Sequence, residues 1–363
     1  MAAPEFLRKH WQKQPLLVRG ALTEFRDAFS AEQLLALASR DDAESRLVQR
    51  SRGNWQVRHG PFSKRELARL PARGWTLLVQ GADRLLPRAQ ALLQQFAFLS
   101  YARLDDVMLS LSPPGGGVGP HFDSYDVFLL QSSGTRRWRI SRQRDRELVA
   151  GAPLKLLRRF RAEQEWLLEP GDMLYLPPHC AHDGIAVSEG VTCSIGFRAP
   201  NAQDIATHFV DFVRDRIELD GRYADPELSA QIRPAQLSRP MLAKLRAMLT
   251  QVRWSAQDEL QFLGEYLTEP GEHVIFTRPA RPASYLNFCR RVASRGARLS
   301  LGSRMLFYRN WIFINGEALT FAPGGRRMLT ELADKRELKP GAQLPEQAGA
   351  ALYEWYRAGY IEC

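Results

Sequence analysis

Apolar positions along the chain change their period several times, and each change marks an element. DDVMLSLS (Asp105–Ser112) alternates, the pattern of a strand with one face buried. VFLLQ (Val127–Gln131) is apolar and strand-like, and Ser132-Ser133-Gly134 supplies a turn after it. TRRWRI (Thr135–Ile140) then places Arg136, Trp138 and Ile140 on one face, with Arg137 and Arg139 on the other. RLVQR, WQVRHG, WTLLVQG and GDMLYL read as further strands. Upstream, FLRKHWQKQP reads as a short helix leading to a strand at Leu16–Val18. SAEQLLALA (Ser30–Ala38) has an N-cap serine, FSKRELARL is a capped helix, and ALLQQFAFL (Ala91–Leu99) reads as an amphipathic one.

After Asn201 the period becomes helical. AQDIATHFVDFVRDRIEL (Ala202–Leu219) carries apolar residues at helical spacing with charges between, and His208 on it reads as a surface histidine. DPELSAQIRPAQLSRPMLAKLRAML reads as two helices broken at Pro234 and Pro240. SAQDELQFLGEYLTEPG follows, with Ser255 as N-cap and Glu259 one position beyond the capping-box site. In the last hundred residues SYLNFCRRVASRG is a basic amphipathic helix. RMLFYRNWIFINGEALTFA is a pair of strands around Asn315-Gly316, and GRRMLTELADKREL and QAGAALYEWYRAGYIEC are helices. Helices with a hairpin suggest a winged helix, and the apolar stripes of the preceding helices suit contact between subunits. The expected division is 1–200, 201–268 and 269–363.

The candidate chemistry sits between the alternating strands, in GGGVGPHFDSYDVF and GDMLYLPPHCAHDG. His121 and Asp123 are two apart and on a strand would share a face. His182 adds a second imidazole. Two histidines and a carboxylate on one side of a metal, with open positions opposite, form the facial triad of non-haem Fe(II) oxygenases. Five residues separate Gly115 from His121 and Gly171 from Pro177, and His182 follows Pro177 by five. This spacing resembles the two motifs of the cupin superfamily. The chain departs from them at Val127, where many cupins carry a glutamate ligand, and at His179, where glycine is usual. His182 fits the spacing from Pro177, which leaves His179 to the turn surface.

Composition narrows the picture. Among 363 residues, 45% are hydrophobic, enough for a packed core, and the formal charge of +10 suits an anionic partner such as RNA, a ribosome or an acidic protein. Cys180, Cys193, Cys289 and Cys363 show no CxxC spacing, which argues against a disulfide framework or zinc finger and fits reduced thiols in the cytoplasm. MAAPEFLRKHWQKQP lacks an apolar signal core, and no run of about 18 apolar residues is present for a membrane span.

HFDSYDVFLLQSSGTRRWRI, LPPHCAHDG and VTCSIGFRAPN together resemble the JmjC-type ribosomal oxygenases of the cupin superfamily, and among them the bacterial arginine hydroxylases of large-subunit ribosomal protein sixteen. The resemblance implies an α+β chain: a double-stranded β-helix (cupin/JmjC barrel), a helical dimerisation region, and a winged-helix-like C-terminal domain. It implies Fe(II), with 2-oxoglutarate and O₂ as cosubstrates, held by His121, Asp123 and His182. Arg136 takes the position that binds the distal carboxylate of 2-oxoglutarate, a role suited to the guanidinium fork. Thr192 and Ser194 match hydroxyl positions lining that pocket. The implied reaction is 3-hydroxylation of an arginine in a ribosomal protein, by a homodimer. Histidine is the rival substrate residue. A non-catalytic ribosome- or RNA-binding cupin module is the rival class, against which the retained ligands and Arg136 argue. A small-molecule cupin would leave Arg136 unexplained. An arginine substrate should meet acidic or aromatic groups at the barrel mouth, where Tyr125 is the best single candidate, with Asp105, Asp106 and Asp126 nearby. For the winged helix, protein contact is favoured and nucleic-acid contact stays open.

Overall fold

Strands that are apolar on both faces need a core on each side, and the first two hundred residues provide both. The computed structural model describes residues 2–51, 53–271 and 273–363. The strands are β1 (Leu16–Val18), β2 (Ser45–Ser51), β3 (Asn54–His59), β4 (Trp75–Val79), β5 (Leu104–Ser112), β6 (Val127–Gln131), β7 (Arg136–Ser141), β8 (Gln164–Leu168), β9 (Met173–Leu176), β10 (Ala181–Ala186) and β11 (Gly190–Phe197). They form an antiparallel eight-stranded sheet, β1-β9-β6-β11-β5-β4-β2-β3, and a three-stranded one, β10-β7-β8. Between the two sheets lie Val127, Leu129, Trp138, Ile140, Leu174 and Leu176. This is the double-stranded β-helix.

The outer face of the large sheet is covered by α1 (Ala3–Lys9), α2 (Ala31–Leu37), α3 (Lys64–Leu67) and α4 (Pro87–Gln94). Phe128 and Leu130 of β6 point into this second core while Val127 and Leu129 point into the barrel, so every residue of β6 is buried. Phe6, Phe96, Phe128, Tyr175 and Phe197 meet there at ring-centroid distances of 4.8–5.6 Å. Asp126 is fully buried on this side. Its oxygens accept from Tyr175 Oη at 2.6 Å and Gln12 Nε2 at 2.9 Å, pinning the segment after α1 to the sheet. Asp126 therefore faces away from the barrel mouth, contrary to the sequence reading.

Local signals placed several ends differently from the sequence reading. α4 begins at Pro87, whose fixed φ suits a first turn, and stops at Gln94, so Ala91–Leu99 is helical only in its first part. α2 closes its capping box with Gln33, which Ser30 Oγ caps at 3.1 Å. Farther on, α5 (Ala202–Arg214) ends before Leu219. α6 (Arg239–Leu249) is the one helix where two were expected, because Pro240 lies in its first turn, where a missing N–H costs nothing. α7 (Ala256–Thr268) closes its box with Asp258 rather than Glu259. Phe262 of α7 packs edge-on against Phe209 and Phe212 of α5, with ring centroids at 5.1 and 5.6 Å.

The C-terminal unit holds α8 (Tyr285–Arg295), β12 (Ala297–Leu299), β13 (Met305–Tyr308), β14 (Trp311–Ile314), β15 (Glu317–Thr320), α9 (Pro323–Lys335), β16 (Glu337–Leu338), α10 (Glu346–Ala358) and β17 (Ile361–Glu362). The expected pair of strands is three: a hairpin at Arg309-Asn310 precedes the one at Asn315-Gly316. Both turns use left-handed residues, Arg309 at φ 52° and Asn315 at φ 50°. Among the described residues, no helix is long and apolar enough to cross a membrane.

One close approach inside the barrel fixes a glycine. Gly184 of β10 lies opposite Trp138 of β7, and a Cβ on it would come within 2.6 Å of the indole ring. Trp138 is itself buried among core residues, so it has little room to yield. Gly184→Ala is expected to cost about 1–3 kcal/mol. Denaturant unfolding should show a lowered midpoint at constant m-value; a midpoint equal to wild type would mean the ring moves freely.

Candidate active site

Residues 115–121 run beside β10 as an added edge. His121 N–H donates to His182 O at 2.9 Å and His182 N–H donates to His121 O at 2.8 Å. This bridge sets the two imidazoles side by side, with centroids 4.2 Å apart. The strand expected at His121 and Asp123 is absent: His121 makes an isolated bridge, and Asp123 lies in the loop beyond it. The loop is held instead by His179 N–H, which donates to Asp123 O at 2.7 Å from the turn of the second motif. His179 is exposed there, with φ 65°.

The ligating atoms of His121, Asp123 and His182 lie within 4.8 Å of one another, a spacing able to hold one metal ion. Each ring is oriented from behind. His121 Nδ1 lies 2.8 Å from Gly119 O and His182 Nδ1 2.9 Å from Cys180 O, so Nδ1 carries the proton and Nε2 presents a lone pair. Burial, and then the neighbouring His121, push His182 down to about 4. The 3.7 Å contact of its Nε2 with Asp123 Oδ2 therefore joins a neutral ring to a carboxylate, as two ligands of one cation require, rather than an ion pair.

Deeper in the barrel the sheet interior turns polar. Arg136 is 6% exposed, and its Nη2 donates to Ser112 Oγ at 2.5 Å. Ser112 Oγ in turn lies 2.8 Å from Thr76 Oγ1, and Ser110 Oγ sits at the hydrogen-bond limit, 3.5 Å from Arg136 Nη1. Among the described residues no carboxylate lies within ion-pair distance of Arg136. Desolvation lowers it to about 10, which still leaves it cationic at neutral pH. A buried guanidinium with hydroxyl neighbours alone is short of one partner, an anion. Thr192 lies on the same inner face, buried, with Oγ1 donating to Gln131 Oε1 at 2.8 Å; Ser194, two along, is half-buried. Arg137 is exposed on the opposite face.

Sequence reasoning missed Thr76, Ser110, Ser112 and Gln131. The signal was present in DDVMLSLS, whose polar half points inward and whose apolar half, Val107, Leu109 and Leu111, packs outward under the helices. At the mouth, Tyr125 is 42% exposed. Burial first, then the charges of Asp123, Asp106 and Asp105, raise its phenol above the ordinary range. Asp106 is held by Gly81 N–H at 2.8 Å and Gln80 Nε2 at 2.6 Å. Burial, then Asp83 and Asp105, push it up to about 7. The barrel thus has a cation at its floor, a three-donor cluster midway and a carboxylate-lined rim.

Comparison with known proteins places this geometry. Residues 91–205 match the family described as JmjC domain, residues 251–362 that described as ROXA-like winged helix, and residues 157–257 that described as AraC-like ligand binding domain. The chain is 38% identical over 281 residues to the ribosomal protein uL16 3-hydroxylase of Escherichia coli, covering 77% of this chain and 74% of that one. It is 37% identical over 205 residues to a probable ribosomal oxygenase of Haemophilus influenzae, covering 55% of this chain and 50% of that one. The X-ray structure of Escherichia coli YcfD superposes with a TM-score of 0.88 at 32% identity, covering 100% of this chain and 98% of the other. YcfD in complex with cobalt and 2-oxoglutarate superposes at 0.84, also at 32% identity and the same coverage. With the barrel, the winged helix and the order of domains all shared across the full length, the chain belongs to the JmjC ribosomal oxygenases.

Proposed function

We propose that this protein is an Fe(II)- and 2-oxoglutarate-dependent hydroxylase of an arginine side chain in a large-subunit ribosomal protein, forming the 3-hydroxy product with succinate and CO₂. The observation that carries the reading is the pairing of a two-histidine, one-carboxylate cluster with a buried guanidinium that, among the described residues, has no carboxylate within ion-pair distance. His121, Asp123 and His182 hold the metal. Arg136, fixed by Ser112, takes the distal carboxylate of 2-oxoglutarate, and Thr192 and Ser194 line the same face. When bound, Fe(II) supplies the oxidative decarboxylation of the 2-oxo acid by O₂ and the insertion of one oxygen atom into a C–H bond.

The chain's own residues divide the rest of the work. Three protein ligands leave open positions for a chelating oxo acid and O₂. Trp138, 5.6 Å beneath the Arg136 guanidinium, and the apolar half of the barrel keep water from the carboxylate contact. Tyr125 and the exposed Asp105 offer an aromatic edge and negative charge to a side chain entering from solvent. That rim suits arginine, always cationic, better than histidine, which is largely neutral near pH 7. Two relatives, a uL16 3-hydroxylase and a probable ribosomal oxygenase, support a ribosomal protein as the substrate.

The domains serve this reaction as an oxygenase unit over 1–200, a dimerisation region over 201–268 and a winged-helix unit over 269–363. α6 carries Met241, Leu242, Leu245, Met248 and Leu249 yet buries no side chain, and Val210, Leu249 and Trp254 are 66%, 71% and 52% exposed. Helices so apolar and so bare suit the same region of a second copy.

Three outcomes test this reading. Recombinant protein with Fe(II), 2-oxoglutarate and uL16 should form succinate and add one oxygen to an arginine by mass spectrometry, and His121→Ala should do neither; full activity with Zn²⁺ alone would sink it. Arg136→Ala should weaken 2-oxoglutarate binding about ten- to a hundredfold, the weight of a charge-assisted contact, while Fe(II) binding survives and Arg137→Ala changes little. Equal affinities in the two variants would show the pocket lies elsewhere. By light scattering the intact chain should be a dimer and Leu245→Glu/Leu249→Glu a monomer; a monomeric wild type would end the dimer proposal.

A further inference from the structure

We propose that Arg304, on the loop before β13, is a positioning residue for the protein substrate, and that through it the winged-helix unit fixes the substrate-facing rim of the barrel. The inference rests on the arginine-hydroxylase reading above and concerns a residue outside the metal and cosubstrate pockets.

Arg304 Nη2 donates to the main-chain oxygen of Asp105 at 2.7 Å and lies 3.6 Å from its carboxylate Oδ1. From the other side, Arg198 Nε approaches the same Oδ1 at 3.5 Å, while Arg198 Nη1 donates to Leu267 O at the end of α7 at 2.6 Å. Asp105 is thus a node where the barrel, the helical region and the wing converge. Arg304 is set in advance: the half-buried Arg336 donates to Ser303 O and to Ser300 O, both at 2.9 Å, and so locks the loop that carries it. A second tether, Tyr101 Oη to Asp334 O at 3.0 Å, holds α9 against the same edge of the barrel.

What Arg304 grips matters more than how tightly. Asp105 stands at the start of β5, the strand that continues through Asp106 at the rim to Ser110 and Ser112 beside Arg136. Its side chain is exposed there. A bond to the main chain at Asp105 sets where the rim carboxylates sit relative to the metal ligands. β11 pairs with β5 along its length, but the register shifts between Ile195 and Phe197, opposite Asp105 and Asp106, while Val107–Ser112 keep an unbroken ladder with β11. Release of Arg304 therefore loosens the rim and leaves the cosubstrate pocket intact. A misplaced target carbon leaves 2-oxoglutarate turnover running without hydroxylation, because distance to the reacting centre governs capture.

The test compares wild type, Arg304→Met and Arg304→Lys, each as the full chain, with uL16 as substrate. Arg304→Met should raise the KM for uL16 about five- to tenfold. It should also raise the succinate formed per hydroxyarginine above the wild-type ratio, with the KM for 2-oxoglutarate and the Fe(II) requirement unchanged. Arg304→Lys, which can still donate to Asp105 O, should recover part of the loss. Wild-type KM and coupling in Arg304→Met overturn the proposal, as does a parallel fall in all constants with a lowered Tm, which would make Arg304 mere glue. Should the methionine variant not fold, Arg304→Ala, which also lacks a donor, takes its place: a raised KM for uL16 at wild-type Tm supports the role, and an unchanged KM refutes it. Wild type that consumes 2-oxoglutarate but leaves uL16 arginines unmodified fails the functional reading first, and with it this one.

Discussion

Two main-chain hydrogen bonds between His121 and His182 hold the site together. Apart from them, the glycine-rich residues 115–121 are tied to β10 at the other end of the segment, where Gly115 N–H donates to Ala186 O at 2.8 Å and Ala186 N–H donates to Gly116 O at 2.9 Å. With the histidine pair, the loop is stitched to β10, and imidazoles separated by sixty residues of chain stand 4.2 Å apart. The remaining orientation follows from nearby carbonyls: Gly119 O and Cys180 O each take an Nδ1 proton, and both are two residues before the histidine they orient. Backbone groups that would otherwise face a polar cavity are spent on aiming the ligands, which satisfies the chain and the site with the same bonds.

The barrel interior is asymmetric, and the asymmetry sorts charges by depth. Apolar residues of β6, β7 and β9 fill one side. Hydroxyls of β4, β5 and β11 line the other, and Arg136 lies among them. At the mouth the sign reverses, with Asp105 exposed and Asp123 half-buried. An anion is drawn to the floor and a cation to the entrance, so two reactants of opposite charge can occupy one channel without competing for the same contacts.

Much of this was legible before the structure. The clustering of His121, Asp123 and His182 survived because the loop bearing the first two is bridged to β10, which carries the third. The strand inferred for Asp123 did not form, since the chain must leave the bridge to reach β6. Alternation assigned Arg136 and Arg137 to opposite faces correctly, because β7 pairs on both sides and cannot slip. The hydroxyls of β5 went unread, as alternation says which residues share a face but not whether that face is core or cavity. Asp126 misled for a related reason: its neighbours in sequence line the mouth, while Tyr175 and Gln12, remote in sequence, claim its carboxylate. Pro240 shows the limit of a breaker rule, since a proline that ends one helix is equally suited to begin the next.

Under the proposed assignment, the grip of Arg136 on a distal carboxylate has a further consequence. Succinate keeps that carboxylate after CO₂ has left, so the guanidinium holds product and cosubstrate alike. Loss of the oxo-acid chelate at the other end is all that separates them in affinity. Exchange of one for the other is then paced at the metal end of the channel, and accumulated succinate becomes a competitive brake on the next round of turnover.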